Sequence, residues 1–288
     1  MSQTTETKTV REVDQIVRGQ TTSDGAGVRL SRIIGAAPLP DLDPFLLLDE
    51  FGSENPGDYI AGFPEHPHRG FETVTYMLAG KMRHRDNQGN TGLLNAGSVQ
   101  WMTAGRGILH SEMPEQEEGL MRGFQLWVNL PAKDKLCAPR YQDIAPERIP
   151  ETSIEGGRVR VLAGSFNGVD GPVKAIATQP TYFDVQLDRG VHFEAMLDDE
   201  HNAFIYAFEG SLLVGISGRA LTRGELGVLG RGTTLEVNAG ENGARFLLVA
   251  GRPLNEPIAR YGPIVMNTQA ELRIAFDDIR TGKFNRPE

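Results

Sequence analysis

His66-Pro67-His68-Arg69-Gly70-Phe71-Glu72 opens the stretch on which the fold turns, and Gly105-Arg106-Gly107-Ile108-Leu109-His110-Ser111-Glu112 closes it. Three of the chain's six histidines lie at these two ends, and each end carries a glutamate. In an extended chain side chains alternate, so His66, His68, Glu72, Val74, Tyr76 and Leu78 are expected on one face of a strand. His110 and Glu112 share a parity in the same way. Two imidazoles two residues apart in a strand, roughly 6.5 Å between Cα atoms, can converge on one ion. Imidazole with carboxylate suits iron, nickel, copper, manganese or zinc. Three histidines and one carboxylate would fill four of six octahedral positions and leave two open. Spacing alone does not say whether Glu72 or Glu112 is the carboxylate.

Working outward, short apolar segments alternate with turns. Ser23-Asp24-Gly25 reads as a turn between early strands, and Pro44–Phe51 as a buried strand. Gly52–Pro64 is a loop, Gly97–Met102 a strand, and Phe124, Leu126, Val128 and Leu130 alternate cleanly. Residues 132–151 form a connector poor in large apolar residues. The domains expected are therefore residues 1–131, with the metal site, and residues 152–288; residues 1–9 are expected to be a tail. In the second half, strands are expected at Tyr182–Leu187, Phe204–Phe208, Ser211–Ile216 and Phe246–Val249. The chain then closes with one helix. Thr268 and Glu271 make a capping box, Leu272, Ala275, Phe276 and Ile279 follow at helical spacing, and Gly282 ends it.

An offset of 130 carries Tyr76 onto Tyr206, Gly80 onto Gly210 and Gly97 onto Gly227, as two copies of one all-β unit would. The same slide sets Met196, Asp198 and Asn202 opposite His66, His68 and Glu72, and Gly240 and Asn242 opposite His110 and Glu112. No histidine survives there, so a site is expected in the first half only. His84, among Arg83, Arg85 and Asp86, reads as a solvated strand residue. His192 and His201 read as surface or hydrogen-bonded.

Composition narrows the function. A net charge of -9 leaves no broad electrostatic footprint for nucleic acid. With Cys137 as the single cysteine no intramolecular disulfide forms, no apolar leader precedes residue 10, and no apolar run of 18 residues occurs. A cytoplasmic protein without a membrane span is expected. No Walker or dinucleotide pattern, Gly-x-Ser-x-Gly or His-Glu-x-x-His is present, so no cofactor cradle is expected.

The spacing His66-x-His68-x-x-x-Glu72 with Gly80 resembles the first cupin motif, and Gly97 through His110 the second. Asp43–Phe51, His66–Tyr76, Gly107–Glu112 and Gly262–Thr268 more closely resemble the pirin family, over nearly the whole chain. The resemblance implies two tandem cupin-type jelly-roll barrels, an all-β fold, with a short C-terminal helix and a metal in the first barrel only. It implies His66, His68, His110 and Glu112 as ligands, with Glu72 left to orient an imidazole. The ion implied is iron(II), with nickel, cobalt, copper, manganese and zinc as alternatives. The activity implied is that of a quercetin 2,3-dioxygenase: the ion chelates a flavonol, dioxygen cleaves its heterocycle, and carbon monoxide and a depside leave. Glu112 would double as the base. Phe71, Trp101 and Trp127 are candidates for aromatic walls or for core. The other role the resemblance implies is an iron-containing regulator that binds a transcription factor or metabolic enzyme. A sugar-binding or isomerase cupin would want basic residues about the pocket, and Arg69 alone adjoins a ligand in sequence.

Overall fold

The computed structural model describes residues 8–285; the tail expected over residues 1–9 falls, as far as residue 7, outside them. The chain divides into two compact units, neither a contiguous segment. One joins Met1–Gly19 to Pro150–Pro253, and the other joins Gln20–Ile149 to Leu254–Glu288. This differs from a division at residues 131 and 152, because each terminal segment belongs to the unit remote from it in sequence. The supposed connector is also structured: Arg140–Ile144 pairs with Val99–Thr103, and Lys135, Ile144 and Ile149 are buried.

The strands are β1 (Val13–Arg18), β2 (Gln20–Asp24), β3 (Val28–Ile34), β4 (Phe45–Ser53), β5 (Phe63–His68), β6 (Phe71–Ala79), β7 (Lys81–Asp86), β8 (Thr91–Asn95), β9 (Val99–Thr103), β10 (Ile108–Pro114), β11 (Met121–Asn129) and β12 (Arg140–Ile144). In the histidine-bearing unit, β12-β9-β6-β11-β4-β3-β2 form a seven-stranded sheet and β5-β10-β7-β8 a four-stranded one. Both are antiparallel, as a cupin jelly roll requires. The helix α1 (Gln269–Thr281) has the expected capping box, Thr268 accepting from the Glu271 amide and Glu271 from the Thr268 amide. Gly282 ends it in the left-handed region, φ 69°. Leu272 and Ala275 are buried against Ala259, Ile264, Met266 and Phe284, whereas Phe276 and Ile279 are more exposed. No helix among the described residues is long and apolar enough to cross a membrane.

One parity expectation fails, and Gly70 is the reason. β5 ends at His68 and β6 starts at Phe71; between them Gly70 takes φ +85°. The two-residue break shifts the alternation, so odd residues of β6 face the inside of the barrel with His66 and His68. Thr75 lines the cavity there, and Phe71 packs on His68 with ring centroids 5.0 Å apart. Glu72, Val74 and Tyr76 face the other way. Trp101 pairs with Val74 on that same outward face, fully buried, and is core rather than wall.

Glu72 therefore orients no histidine. It is buried and accepts a 2.6 Å hydrogen bond from the Thr103 hydroxyl, while its Oε2 has no hydrogen-bond partner. Burial pushes its carboxyl up to about 7, against the pull of Thr103.

The other unit is built on a sheet running β1, Glu225–Leu229, Asn202–Val214, Thr234–Gly251, Thr181–Leu187, Gly157–Ala163 and Glu151–Ile154. It repeats the first with slips in register. Gly97 and Gly224, at φ +85° and +84°, donate to the carbonyls of Met77 and Ala207, so the turn glycine matching Gly97 is Gly224, not Gly227. Gly105-Arg106-Gly107 then matches Gly230-Arg231-Gly232, with φ +143° and +153° at the last glycines. Ladder partners agree: His110–His66 corresponds to Leu235–Ala195, and Glu112–His84 to Val237–Val214. The positions opposite the histidines are thus Ala195, Leu197 and Leu235, all in the unit's apolar core. The ungapped slide names the wrong residues; the matched positions carry alanine and leucine in place of histidine.

Two outcomes are expected. A Cβ at Gly70 would lie 1.9 Å from the Val265 carbonyl oxygen, so Gly70→Ala should lose roughly 2 kcal/mol or more in urea unfolding, combining left-handed strain with overpacking. A carboxyl raised in the folded state stabilises fully below its unfolded value of 4.5, and that contribution is lost as pH rises through about 7. Unfolding at pH 5 and pH 8 should therefore show Glu72→Gln free of a loss of up to about 3 kcal/mol that the parent chain suffers.

Candidate metal centre

β5 and β10 are adjacent, and His66 lies directly opposite His110 in the ladder. The register slips between His110 and Glu112, so Glu112 pairs with Phe63. On its other side β10 meets β7, where Glu112 lies opposite His84 and His110 opposite Asp86. One face of this four-stranded sheet thus gathers His66, His84, Asp86, His110 and Glu112.

Three of the expected ligands come together as expected. The rings of His66, His68 and His110 form a triangle with centroids 4.4 to 4.7 Å apart. Each offers a nitrogen within 4.8 Å of the others, the one such cluster among the described residues. Nε2 of His66 and Nε2 of His68 are 3.0 Å apart. His66 Nδ1 lies 2.8 Å from the Pro64 carbonyl, which can only accept, so Nδ1 carries the proton and Nε2 the free lone pair. His68 and His110 are buried, and burial, reinforced by the neighbouring imidazoles, holds both well below the usual histidine range. They are therefore neutral, the form that binds a metal. The Pro263 carbonyl acts the other way on His68, although His68 Nδ1 has no hydrogen-bond partner of acceptable geometry. His110 Nε2 is likewise buried and unpartnered. A buried, unsatisfied acceptor costs about 1–3 kcal/mol, so a divalent cation fits this set of residues.

Glu112 is buried and lines the same cavity, outside the histidine triangle. Its Oε1 is 2.9 Å from Thr75 Oγ1, which also lies 2.7 Å from Oε1 of Gln125. One hydroxyl proton cannot serve two acceptors. Turning the Gln125 amide over lets its NH2 donate to Thr75, which donates on to Glu112.

The cavity above the histidines measures about 470 Å³ and is partly open. Its walls include Phe51, Phe63 and Trp127, with Trp127 packed on His68 and on Phe71 at centroid distances of 5.3 and 4.5 Å. Phe71 is fully buried behind them and does not line the cavity. Two cations that sequence reading missed line it as well. Arg32 is fixed by Asp49 in a two-point ion pair at 2.9 and 2.7 Å, and Arg260 lies 4.8 Å over the Trp127 ring while donating to the Leu46 carbonyl. Arg69 turns away to Asp278 and the Phe284 carbonyl. Arg260 is 150 residues from His110 in the chain, and no local pattern marks it.

His84 is not a solvated strand residue. It is buried, with Nδ1 3.3 Å from Nδ1 of His110. His192 is exposed and contacts Asn238, and His201 is buried 3.8 Å from Asp198. Neither joins a cluster.

Metal analysis of His110→Ala checks the triangle. The variant should fall well below the one equivalent expected of the parent chain; full retention would place the ion elsewhere.

Comparison with known proteins agrees with this architecture. Residues 27–128 match the Pirin family and residues 182–285 the Pirin C-terminal cupin domain. A Pseudomonas aeruginosa protein provisionally named a quercetin 2,3-dioxygenase is 51% identical over 94% of this chain and 97% of its own. Human Pirin is 42% identical over 95% of this chain and 93% of its own. The crystal structure of quercetin 2,3-dioxygenase from Acinetobacter baumannii superposes with a TM-score of 0.89 at 33% identity, covering 96% of this chain and 99% of that one. The histidine triangle in one antiparallel barrel and these matches along the chain have one meaning: it belongs to the pirin family.

Proposed function

We propose that the chain is a metal-dependent dioxygenase of the quercetin 2,3-dioxygenase type, acting on a flavonol or a closely similar hydroxylated aromatic. The observation that carries this reading is the convergence of three imidazoles beneath an aromatic-walled cavity of about 470 Å³, onto which Glu112 also opens. That volume is within the range of cavities that enclose drug-sized aromatic molecules. The names of the Pseudomonas and Acinetobacter relatives support the substrate class.

In this reading His66, His68, His110 and Glu112 hold one divalent ion, iron(II) in the first instance. The ion would supply Lewis acidity and a template for the substrate's adjacent oxygens. The remaining work falls to the chain. Trp127 and Phe63 flank the aromatic rings. Arg32 and Arg260 offer guanidinium N–H groups to phenolate oxygens, their charge balanced by Asp24 and Asp49. Glu112 accepts the substrate's hydroxyl proton, and Thr75 holds the carboxylate in place.

Aerobic incubation of the metal-loaded protein with quercetin, followed by loss of flavonol absorbance and release of carbon monoxide, tests the proposal. Turnover is expected, and Glu112→Gln should lower it by about 10²- to 10⁴-fold, the usual share of a general base. Absence of turnover with iron, nickel, cobalt, copper and manganese in turn would exclude flavonol cleavage.

A further inference from the structure

His84 reaches further than its contact with His110. Its Nε2 is 3.1 Å from the Tyr141 hydroxyl, with the two rings 4.9 Å apart. Tyr141 belongs to β12 in the seven-stranded sheet, so this contact crosses the barrel from one sheet to the other. The Tyr141 hydroxyl in turn interacts with the Asp86 carboxylate. Asp86 also accepts from the Gln88 and Asn90 amides and the Asn90 side chain, at 2.7 to 2.9 Å.

The direction of every bond in this row follows from its end. Asp86, ionised, can only accept, so the Tyr141 hydroxyl proton goes to it. With that proton committed, Tyr141 can only accept from His84, which fixes the His84 proton on Nε2. Nδ1 of His84 is then a bare acceptor, and the bond to His110 requires a proton on His110 Nδ1. That leaves the lone pair of His110 on Nε2, the buried atom without a partner.

We infer that Asp86, Tyr141 and His84 are positioning residues that lock His110 in its Nδ1-protonated tautomer and strengthen Nε2 as an electron donor to a bound cation. The chain is a longer form of the carboxylate–histidine–metal arrangement, in which a ligand's second nitrogen donates to an anion. Its effect on a metal rests on the proposed ligand set; its effect on the tautomer does not.

Two measurements separate these dependences. In metal-free protein, long-range proton–nitrogen NMR should show His110 protonated at Nδ1 and His84 at Nε2. An Nε2-protonated His110 would overturn the inference whatever the fate of the metal. In iron-loaded protein, Tyr141→Phe keeps the ring and removes the link to Asp86. It should bind iron about tenfold more weakly in chelator competition, at the low end of the 10- to 100-fold effects of such partners. The reduction potential should rise as the ferric state loses donation. His84→Leu should show the larger loss, and His84→Asn, whose carbonyl oxygen can replace Nδ1 as acceptor, should recover part of it. Parent-like affinity and potential in both Tyr141→Phe and His84→Leu would overturn the inference. Full iron retention by His110→Ala would instead overturn the ligand set, a distinct result.

Discussion

Burying imidazole against imidazole is the constraint to which the histidine-bearing unit answers. Three rings packed with centroids under 5 Å apart, two of them out of reach of solvent, place nitrogen lone pairs near one another without protons to share. Such an arrangement is costly unless each ring's outward nitrogen is held and the inward ones find a common electrophile. The Pro64 carbonyl holds His66, and His84 holds His110. The four-stranded sheet provides the rigid frame, since His66 and His110 sit directly across a ladder.

Burial keeps the two inner imidazoles neutral, and the charged groups of the cavity wall stand apart from them. Burial suppresses the protonated forms of His68 and His110, so no carboxylate is needed to balance them. Arg32 and Asp49 neutralise one another across the wall, and Arg260 is spread over the Trp127 ring. In the second unit the corresponding positions are Ala195, Leu197 and Leu235, and the space is filled as an apolar core. The same sheet geometry therefore serves either as a container or as a packed interior, depending on a few side chains.

Much of this is legible in the residues themselves. Paired histidines at strand parity, a second set 44 residues on, and the Thr268–Glu271 cap with Gly282 all name their structures through local rules. Alternation breaks where one residue leaves the β region: Gly70 resets the count and turns Glu72 to the face away from the histidines. The charges of Arg83 and Arg85 on either side mark a solvated strand, yet His84 turns to the inner face of the sheet together with Asp86. The slips that move the second copy's register from Gly97–Gly227 to Gly97–Gly224 are turn-length differences, which an ungapped comparison cannot see. Arg32, Arg260 and Tyr141 reach the site only through tertiary packing, and residues near them in sequence give no sign of it.

The non-contiguous units bear on the order in which the protein can be completed as it is made. Arg260 and Pro263, which line the cavity above the histidines, and Val265, whose amide donates to the Arg69 carbonyl beside His68, all lie in Leu254–Glu288. A ribosome must therefore make the whole of Pro150–Pro253 before the wall of the histidine barrel can close. Domains generally fold as they emerge, N-terminal first. Here the barrel with the histidine cluster begins early and is finished last, so the cluster spends synthesis with one side open.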